Sequence, residues 1–172
     1  MNSQKPMACL CPVCKKHPLK PRCGNFISTC PPKPPEPDPC ALTGMQAQLI
    51  NTANPLLQHG ERVKFDTILS RQDTSVEYDP GTGLFTLTKE AGYLVNWNVS
   101  VHGSQFTPHI RLALQVDGVT HSAFTMPISV GVISGSALVA AKPGASLALV
   151  NDTNDTIRLD TTAPIANITI VA

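Results

Sequence analysis

The composition of this chain changes abruptly near residue 40. All six cysteines and ten of the sixteen prolines lie in residues 1–40, and the following 132 residues contain no cysteine. Proline fixes φ at about −65° and has no N–H group to donate, so it disfavours helices and sheet interiors. We therefore predict an extended, flexible Cys/Pro-rich connector arm over residues 1–40 and one folded domain over residues 41–172, a length suited to a single hydrophobic core.

The end of the arm is dominated by proline and runs Cys30-Pro-Pro-Lys-Pro-Pro-Glu-Pro-Asp-Pro-Cys40. This composition favours a polyproline II helix, which rises about 3.1 Å per residue and would hold the two cysteines about 30 Å apart. A disulfide requires Cα atoms within about 7 Å of each other. Cys30 and Cys40 must therefore each find a partner elsewhere.

The cysteines of the arm admit two interpretations. Cys11, Cys14, His17 and Cys23 resemble a zinc site, because a Cys-Pro-x-Cys turn can place two thiolates on one ion. The arm has no second cysteine pair of this kind, so we favour disulfides over zinc. The close spacing of the first three cysteines favours links between chains. The interchain disulfide candidates are Cys9, Cys11, Cys14, Cys23, Cys30 and Cys40.

Charge and hydropathy argue against several classes of function. The arm has six Lys or Arg against two acidic residues, a balance of +4, and the domain has seven against ten, a balance of −3. Neither part carries the dense basic stripe of a nucleic-acid-binding protein. Residues 1–8 lack the apolar run of a secretory signal, and no segment approaches the length of a membrane span. We expect a protein made in the cytoplasm without a signal peptide, with no nucleic-acid partner and no membrane span.

From residue 41 onward the hydrophobic period is two rather than 3.6, which is typical of strands. The predicted strands are Val63–Leu69, Thr82–Thr88, Tyr93–Val101, Ile110–Val116, Ala145–Val150, Thr156–Asp160 and Ala166–Val171. Turn chemistry separates them at Asp79–Gly83, Asp117-Gly118, Lys142–Gly144 and Asn151–Asp155. The pattern predicts an all-β fold, an antiparallel sandwich of eight to ten short strands.

Two of the strand-like segments, Ile110–Val116 and Gly131–Ala141, are apolar on both faces. A sandwich strand with one face in water should alternate between apolar and polar residues. The excess predicts self-association, because a cyclic homo-oligomer buries the same face of every copy. The alternative is that both segments are central strands of a well-covered monomer, since a short apolar run does not separate the two cases.

Several segments of the domain, taken in order, resemble the C1q/tumour-necrosis-factor jelly roll. They are residues 64–68 (KFDTI), 78–87 (YDPGTGLFTL), 90–101 (EAGYLVNWNVSV), 114–119 (LQVDGV) and 166–172 (ANITIVA). The chain is most similar to the bacterial branch, the carboxy-terminal domain of the collagen-like glycoproteins on the exosporium of bacterial endospores. The resemblance covers about residues 45–172. It implies a jelly roll of about ten strands that assembles as a homotrimer.

One departure from those relatives changes what the resemblance implies. Their domain follows Gly-X-Y repeats, which this chain lacks, so we do not expect a collagen stalk. The Cys/Pro-rich arm stands in its place. The resemblance therefore implies a trimeric knob with a covalent tether, located on the spore surface, the exosporium or an appendage. Synthesis in the mother-cell cytoplasm would explain the missing secretion signal.

The remaining candidate residues indicate little catalytic chemistry. The five histidines are His17, His59, His102, His109 and His121. They show neither metal-ligand spacing nor a nucleophile pattern, so we interpret them as loop or sheet-face residues. Asp152 and Asp155 fall short of the 6–8 oxygens that calcium takes, and a solvated hairpin turn is favoured there. We expect no enzyme and no cofactor.

The sequence thus predicts a structural, self-assembling protein whose partners are other copies of itself and other spore-surface proteins. The first alternative is a surface-anchored recognition or adhesion knob that binds ligands through exposed loops, with Ser70–Ser75 and His102–Pro108 as the candidates. The second alternative is an adaptor that binds zinc through the arm cysteines.

Overall fold

The computed structural model describes residues 42–104, 106–127 and 131–172. Within these ranges the chain forms twelve β-strands and no helix, which confirms the all-β prediction. The strands are β1 (Gly44–Leu49), β2 (Leu56–Leu57), β3 (Thr67–Gln72), β4 (Val76–Asp79), β5 (Leu84–Leu87), β6 (Ala91–Ser104), β7 (His109–Val116), β8 (Val119–Pro127), β9 (Gly131–Ala141), β10 (Ala145–Asn151), β11 (Ile157–Leu159) and β12 (Ala166–Val171). The count exceeds the predicted eight to ten because β2 and β11 are fragments of two and three residues.

The strands pair into two antiparallel sheets. The first sheet has the order β9–β6–β12–β1–β3. Beyond the start of β12, the short strand β11 pairs with the last residues of β6, and β2 pairs with β11. The second sheet has the order β4–β5–β10–β7–β8. The long strand β6 joins both parts of the first sheet, because it pairs with β9 from Ala91 to Val101 and with β12 from Leu94 to Val99.

The core lies between the two sheets and follows the period-two pattern of the strands. In β6, Tyr93, Val95, Trp97 and Val99 are buried, and the residues between them face away from the core. In β7, which lies in the second sheet, Ile110, Leu112 and Leu114 are buried. Each strand thus places one side on the core, as successive side chains of a strand point to opposite faces.

Local turn chemistry confirms the predicted strand connections. Asp117 and Gly118 join β7 to β8 with φ values of 51° and 76°, the two positive angles that a type I′ hairpin turn requires. Glycine reaches such angles without steric cost, and aspartate is one of the few other residues that tolerates them. The Asp117 carboxylate also accepts the backbone N–H of Ser146 at 2.8 Å, which fastens the turn to the start of β10.

The predicted strand Val63–Leu69 is divided between the two sheets. The N–H of Val63 donates to the carbonyl of Leu149 in β10 at 2.8 Å, whereas β3 begins only at Thr67 and pairs with β1. Between them Phe65 is buried, and its N–H donates to the Tyr78 hydroxyl at 2.6 Å. The alternation holds for Val63 and Phe65, which are buried, but not for Ile68 and Leu69, which are both exposed after the segment has crossed to the other sheet.

The two ends of the sandwich carry different loops. The described part of the chain begins at Leu42, and the N–H of Ala172 donates to the carbonyl of Thr43 at 2.9 Å, so the first described residues lie beside Ala172. The turns at Asp117-Gly118 and Lys142–Gly144 lie at this same end, which we call the proximal end. The opposite, distal end carries the segments that follow β1, β6, β10 and β11.

Candidate functional site

On β9, on β6 as far as Ser100, on β12 and on β1, the face of the first sheet that points away from the core carries only uncharged side chains. We call it the uncharged face and define it as Gln46, Gln48, Leu94, Asn96, Asn98, Ser100, Val132, Ser134, Ser136, Leu138, Asn167, Thr169 and Val171. These residues alternate along their strands with the buried residues of the core. Four adjacent strands, β9, β6, β12 and β1, contribute to it.

The strand register arranges the uncharged face in rows that run across the sheet. Two polar rows are Gln46–Thr169–Asn96–Ser136 and Gln48–Asn167–Asn98–Ser134. Beside them lies an apolar row of Val171, Leu94 and Leu138. Gln46 Nε2 donates to Asn167 Oδ1 at 3.1 Å, which ties β1 to β12. Amides and hydroxyls can both donate and accept hydrogen bonds, so these rows can pair with polar groups of a neighbouring copy.

The two outer faces of the sandwich differ in charge. The outer face of the second sheet exposes Glu77, Asp79 and Arg111. The surface of a small soluble domain is typically about 25–35% charged, and charged residues are depleted at the centre of protein interfaces. The uncharged face therefore has the composition of a surface that is covered by another protein chain.

The structure distinguishes the two segments that the sequence marked as apolar on both faces. Ile110–Val116 belongs to β7, a strand between β8 and β10, and its second apolar face includes Ala113, which the monomer already buries. Gly131–Ala141 coincides with β9, whose Leu138 and Val132 are 76% and 60% exposed. The excess of apolar surface that needs a partner therefore lies on β9.

The side of the sandwich between β8 and β9 is held by close aromatic packing. The rings of Trp97 and Phe124 meet edge to face with their centroids 5.4 Å apart. They fit because Gly135 lies opposite them: a Cβ there would be 2.5 Å from the indole of Trp97. His121 Nε2 lies 2.9 Å from the Leu138 carbonyl oxygen, a hydrogen bond from β8 to β9. This packing fixes the position of β9 and therefore of Leu138.

The two candidate recognition loops lie at opposite ends of the body. Ser70–Ser75 comprises the last three residues of β3 and the turn that follows, at the proximal end beside Gly44. His102–Pro108 lies at the distal end, where Phe106 is 86% exposed. The N–H of Phe106 donates to Asp155 Oδ2 at 2.6 Å, so a side chain from another loop positions this aromatic residue.

The described histidines are loop or sheet-face residues, as predicted. His59 Nδ1 lies 2.6 Å from the carbonyl oxygen of Thr153, and His121 bonds Leu138 as described above. His102 and His109 are exposed on strands. No group of three or more His, Cys, Asp or Glu that could hold a metal ion occurs among the residues that the structure describes.

The predicted turn at residues 151–155 is only partly solvated. Asn151 is buried, and its amide donates to the carbonyls of Leu57 and Asp155, each at 2.9 Å. The carboxylates of Asp152 and Asp155 serve different partners: Asp152 pairs with Arg111 at 2.6 Å, and Asp155 accepts backbone N–H groups. The buried side chain of Asn151 therefore holds this turn in place. The alternation of apolar and polar residues in the sequence did not predict that role.

Local hydrogen bonds hold several carboxylates in their ionised form. At the proximal end, the hydrogen bond and charge of Lys89 and the N–H of Ser75 lower the pKa of Asp73 to about 2. Burial alone would raise the pKa of Asp66, but the N–H groups of Ile50 and Asn51 lower it overall. These carboxylates fasten loops at both ends of the sandwich.

The six cysteines and His17 lie outside the described residues, so the disulfide and zinc interpretations stay predictions. The same holds for the division between arm and domain at residue 40. The described residues contain no helix that is long and apolar enough to span a membrane.

No known family model matches the chain, and no curated protein matches its sequence. The fold, in contrast, is similar to solved structures. The globular domain of zebrafish complement 1qA is 17% identical over 74% of this chain and 94% of that chain, with a TM-score of 0.55. Murine APRIL at pH 5.0 is 10% identical over 76% of this chain and 98% of that one, with a TM-score of 0.63. Eiger TNF from S. frugiperda is 13% identical over 75% of this chain and 92% of that chain, with a TM-score of 0.55.

The similarity of these structures to this chain is one of fold. Sequence identities of 17%, 10% and 13% support no conclusion beyond the fold. The five-stranded orders β9–β6–β12–β1–β3 and β4–β5–β10–β7–β8 account for ten of the twelve strands, the number that the resemblance implied. The described body of this protein is a C1q/TNF-like jelly roll.

Proposed function

We propose that this chain is a self-assembling structural subunit whose bodies associate as homotrimers through the uncharged face, and whose arms join the trimers by disulfides. The observation that carries the proposal is the uncharged face itself. It leaves Leu138 and Val132 exposed beside two rows of amides and hydroxyls. A monomer gains nothing from such a surface, whereas an oligomer buries it.

Cyclic symmetry suits this surface because every copy presents the same uncharged face to its neighbours. The C1q/TNF-like fold supports a trimer in particular, since the sequence resemblance implies that assembly. The edge position of β9 supports it as well, because an edge strand can approach a second subunit without displacing a strand of its own sheet.

The arm extends the assembly in the second step of the proposal. Each trimer carries three arms, all entering at the proximal ends of their bodies. Once one arm has docked on a neighbouring trimer, the other two are held at an effective concentration in the millimolar range, which favours oxidation between the same partners. Docking of the arms of one trimer on another is a heterologous contact that does not close, and such contacts generate fibres or layers.

The location follows from the resemblance to exosporium proteins. We propose that the assembly lies on the surface of a bacterial endospore, in the exosporium or in an appendage, after synthesis in the mother-cell cytoplasm. Other spore-surface proteins would be the attachment points of the outermost arms. The arm cysteines would oxidise after the assembly leaves the reducing cytoplasm.

The test is to replace all six cysteines by serine in the full chain. We expect soluble trimers by light scattering after size exclusion, and no multimers that dissociate on reduction. The parent should give a ladder on non-reducing gels and ordered fibres or sheets in negative stain. An unchanged ladder in the cysteine-free variant would refute the role of the arm, and a monomeric body would refute the role of the uncharged face.

A recognition knob is the second candidate, and the position of Phe106 favours it. This residue is exposed on an anchored loop at the end of the body opposite Leu42, where the described part of the chain begins. A ligand-binding loop on a tethered protein would be placed there. Dispersed knobs in negative stain, with no ordered fibres or sheets under oxidising conditions, would favour recognition over assembly.

A further inference from the structure

We propose that the distal end of the body contains a binding site for one oxyanion group, a carboxylate, phosphate or sulfate, held by Arg158 and His102. A pocket of about 480 Å³ opens between β2, β11 and the end of β6. The residues of its lining that matter to this proposal are Asn54, Leu56, His102, Ser104, Thr156 and Arg158.

The strand register brings the two basic residues together. Arg158 in β11 pairs with Gly103 in β6 on one side and with Leu56 in β2 on the other. Arg158, His102 and Leu56 are all exposed, in strands whose other face is in the core. A guanidinium, an imidazole and an aliphatic wall thus share one concave surface.

The donors in this pocket are not satisfied by the described part of the chain. Neither Arg158 nor His102 forms a side-chain hydrogen bond or an ion pair with a described residue. Asn54 Oδ1 accepts the N–H of Leu56 at 3.1 Å, while its NH₂ group has no acceptor among the described residues. A guanidinium with neighbouring N–H donors is the arrangement that binds oxyanions by charge-assisted hydrogen bonds.

The acidic residues nearest the pocket are committed to the backbone. Asp160 Oδ1 accepts the N–H of Thr161 at 2.7 Å and that of Thr162 at 3.1 Å. Asp155 accepts the N–H of Phe106 and of Thr156. Both carboxylates lower the local potential, but neither forms an ion pair with Arg158.

A second pocket at the same end provides an internal comparison. It has about 450 Å³ and is lined by Arg111 and His109 together with Asp152. There the chain supplies its own anion, because Arg111 Nε lies 2.6 Å from Asp152 Oδ2. In the pocket of Arg158, Asp160 lies close to His102, but no described carboxylate forms an ion pair with the guanidinium, so an external oxyanion would take that place.

The experiment titrates the full chain, kept reduced, with sodium phosphate, sodium sulfate and sodium glucuronate at constant ionic strength. Binding is followed by ¹H–¹⁵N spectra, including the Arg158 Nε–H signal. We expect saturable shifts at Gly103, Thr156 and Arg158 with at least one probe. The probe that binds most tightly identifies the ligand group. Glucuronate indicates a carboxylate, sodium phosphate indicates a phosphate group, and sodium sulfate indicates a sulfate group. Equal shifts with neutral glucose would overturn the proposal.

Two variants make the test specific. Arg158→Gln should weaken the binding by roughly tenfold or more, the loss expected for one charged hydrogen-bond donor. Arg71→Gln is the control, because Arg71 is exposed on β3 at the other end of the body. The Arg71→Gln variant should bind each probe with the same affinity as the parent. The proposal is wrong if no probe saturates, if Arg158→Gln binds like the parent, or if both variants lose affinity equally through bulk charge.

Discussion

Replacing Leu138 by lysine should dissociate the trimer without unfolding the body. In the single chain this side chain is 76% exposed on the uncharged face. Its substitution removes almost no core contact, and the hydrogen bond from the His121 side chain to the backbone carbonyl of residue 138 persists. A lysine at this position is therefore compatible with the folded monomer, and its cost arises only when the face is covered.

The magnitude follows from the exposed fraction. Fully burying a leucine contributes about 1.5–3 kcal/mol, so burying the exposed three quarters of Leu138 contributes about 1–2 kcal/mol per subunit. Three copies contribute about 3–6 kcal/mol to one trimer, or roughly a hundredfold to a ten-thousandfold in the association constant. The lysine adds the cost of placing a charge in an interface that offers no acidic partner.

The assay is sedimentation equilibrium in a background with all six cysteines replaced by serine, so that no disulfide holds the subunits together. Leu138→Ala should weaken the trimer by the apolar contribution alone, and Leu138→Lys should yield monomers with the parent's thermal midpoint. The control is Gln115→Lys on the outer face of the second sheet, which should remain trimeric. A Leu138→Lys trimer as stable as the parent, or equal dissociation of the control, would refute the assignment of the interface.

Three further predictions concern the fold itself. Gly135→Ala places a Cβ 2.5 Å from the indole opposite it and should lower the free energy of unfolding, measured by urea denaturation, by about 1–3 kcal/mol. The control is Gly92→Ala, where a Cβ meets nothing within 4 Å, and its free energy of unfolding should change little. The folded-state pKa of Asp73, about 2, lies below its ordinary value of 3.8, so its stabilising effect is present above about pH 4 and is lost as the pH falls towards 2. Lys89→Gln should flatten this part of a stability-against-pH curve, and an unchanged acid limb would contradict it. Asn151→Ala leaves the carbonyls of Leu57, which is buried, and Asp155, which is partly buried, without their donor. It should lower the free energy of unfolding in chemical denaturation by about 1–3 kcal/mol, and an effect below about 0.5 kcal/mol would contradict the role of this amide.

Features encoded within a few residues could be predicted from the sequence. The Asp117-Gly118 turn is an example, because both residues tolerate positive φ whatever surrounds them. The alternation in residues 93–101 likewise fixed which side chains of β6 enter the core. The resemblance to the C1q/TNF jelly roll rested on an ordered set of such local segments, and the structural comparisons confirm that fold.

Features that depend on pairing between distant segments could not be predicted. The uncharged face exists only because the register aligns Gln48, Asn167 and Asn98, which are far apart in the chain. The pocket of Arg158 arises in the same way, since its strand pairs with the end of β6. The sequence predicts apolar residues on both faces of two strands, β7 and β9. Only the order of strands in the sheets shows that β9 is an edge strand and β7 is not.

The hydrogen bond between Thr43 and Ala172 determines how this protein could be used to present other molecules. If residues 1–40 serve as the proposed tether, a peptide fused after Ala172 would emerge next to the point of attachment and be crowded by whatever anchors it. A peptide inserted in the loop that carries Phe106 would instead stand at the far tip, pointing away from the attachment point. The same geometry makes that loop the first part of an anchored subunit to meet an approaching surface.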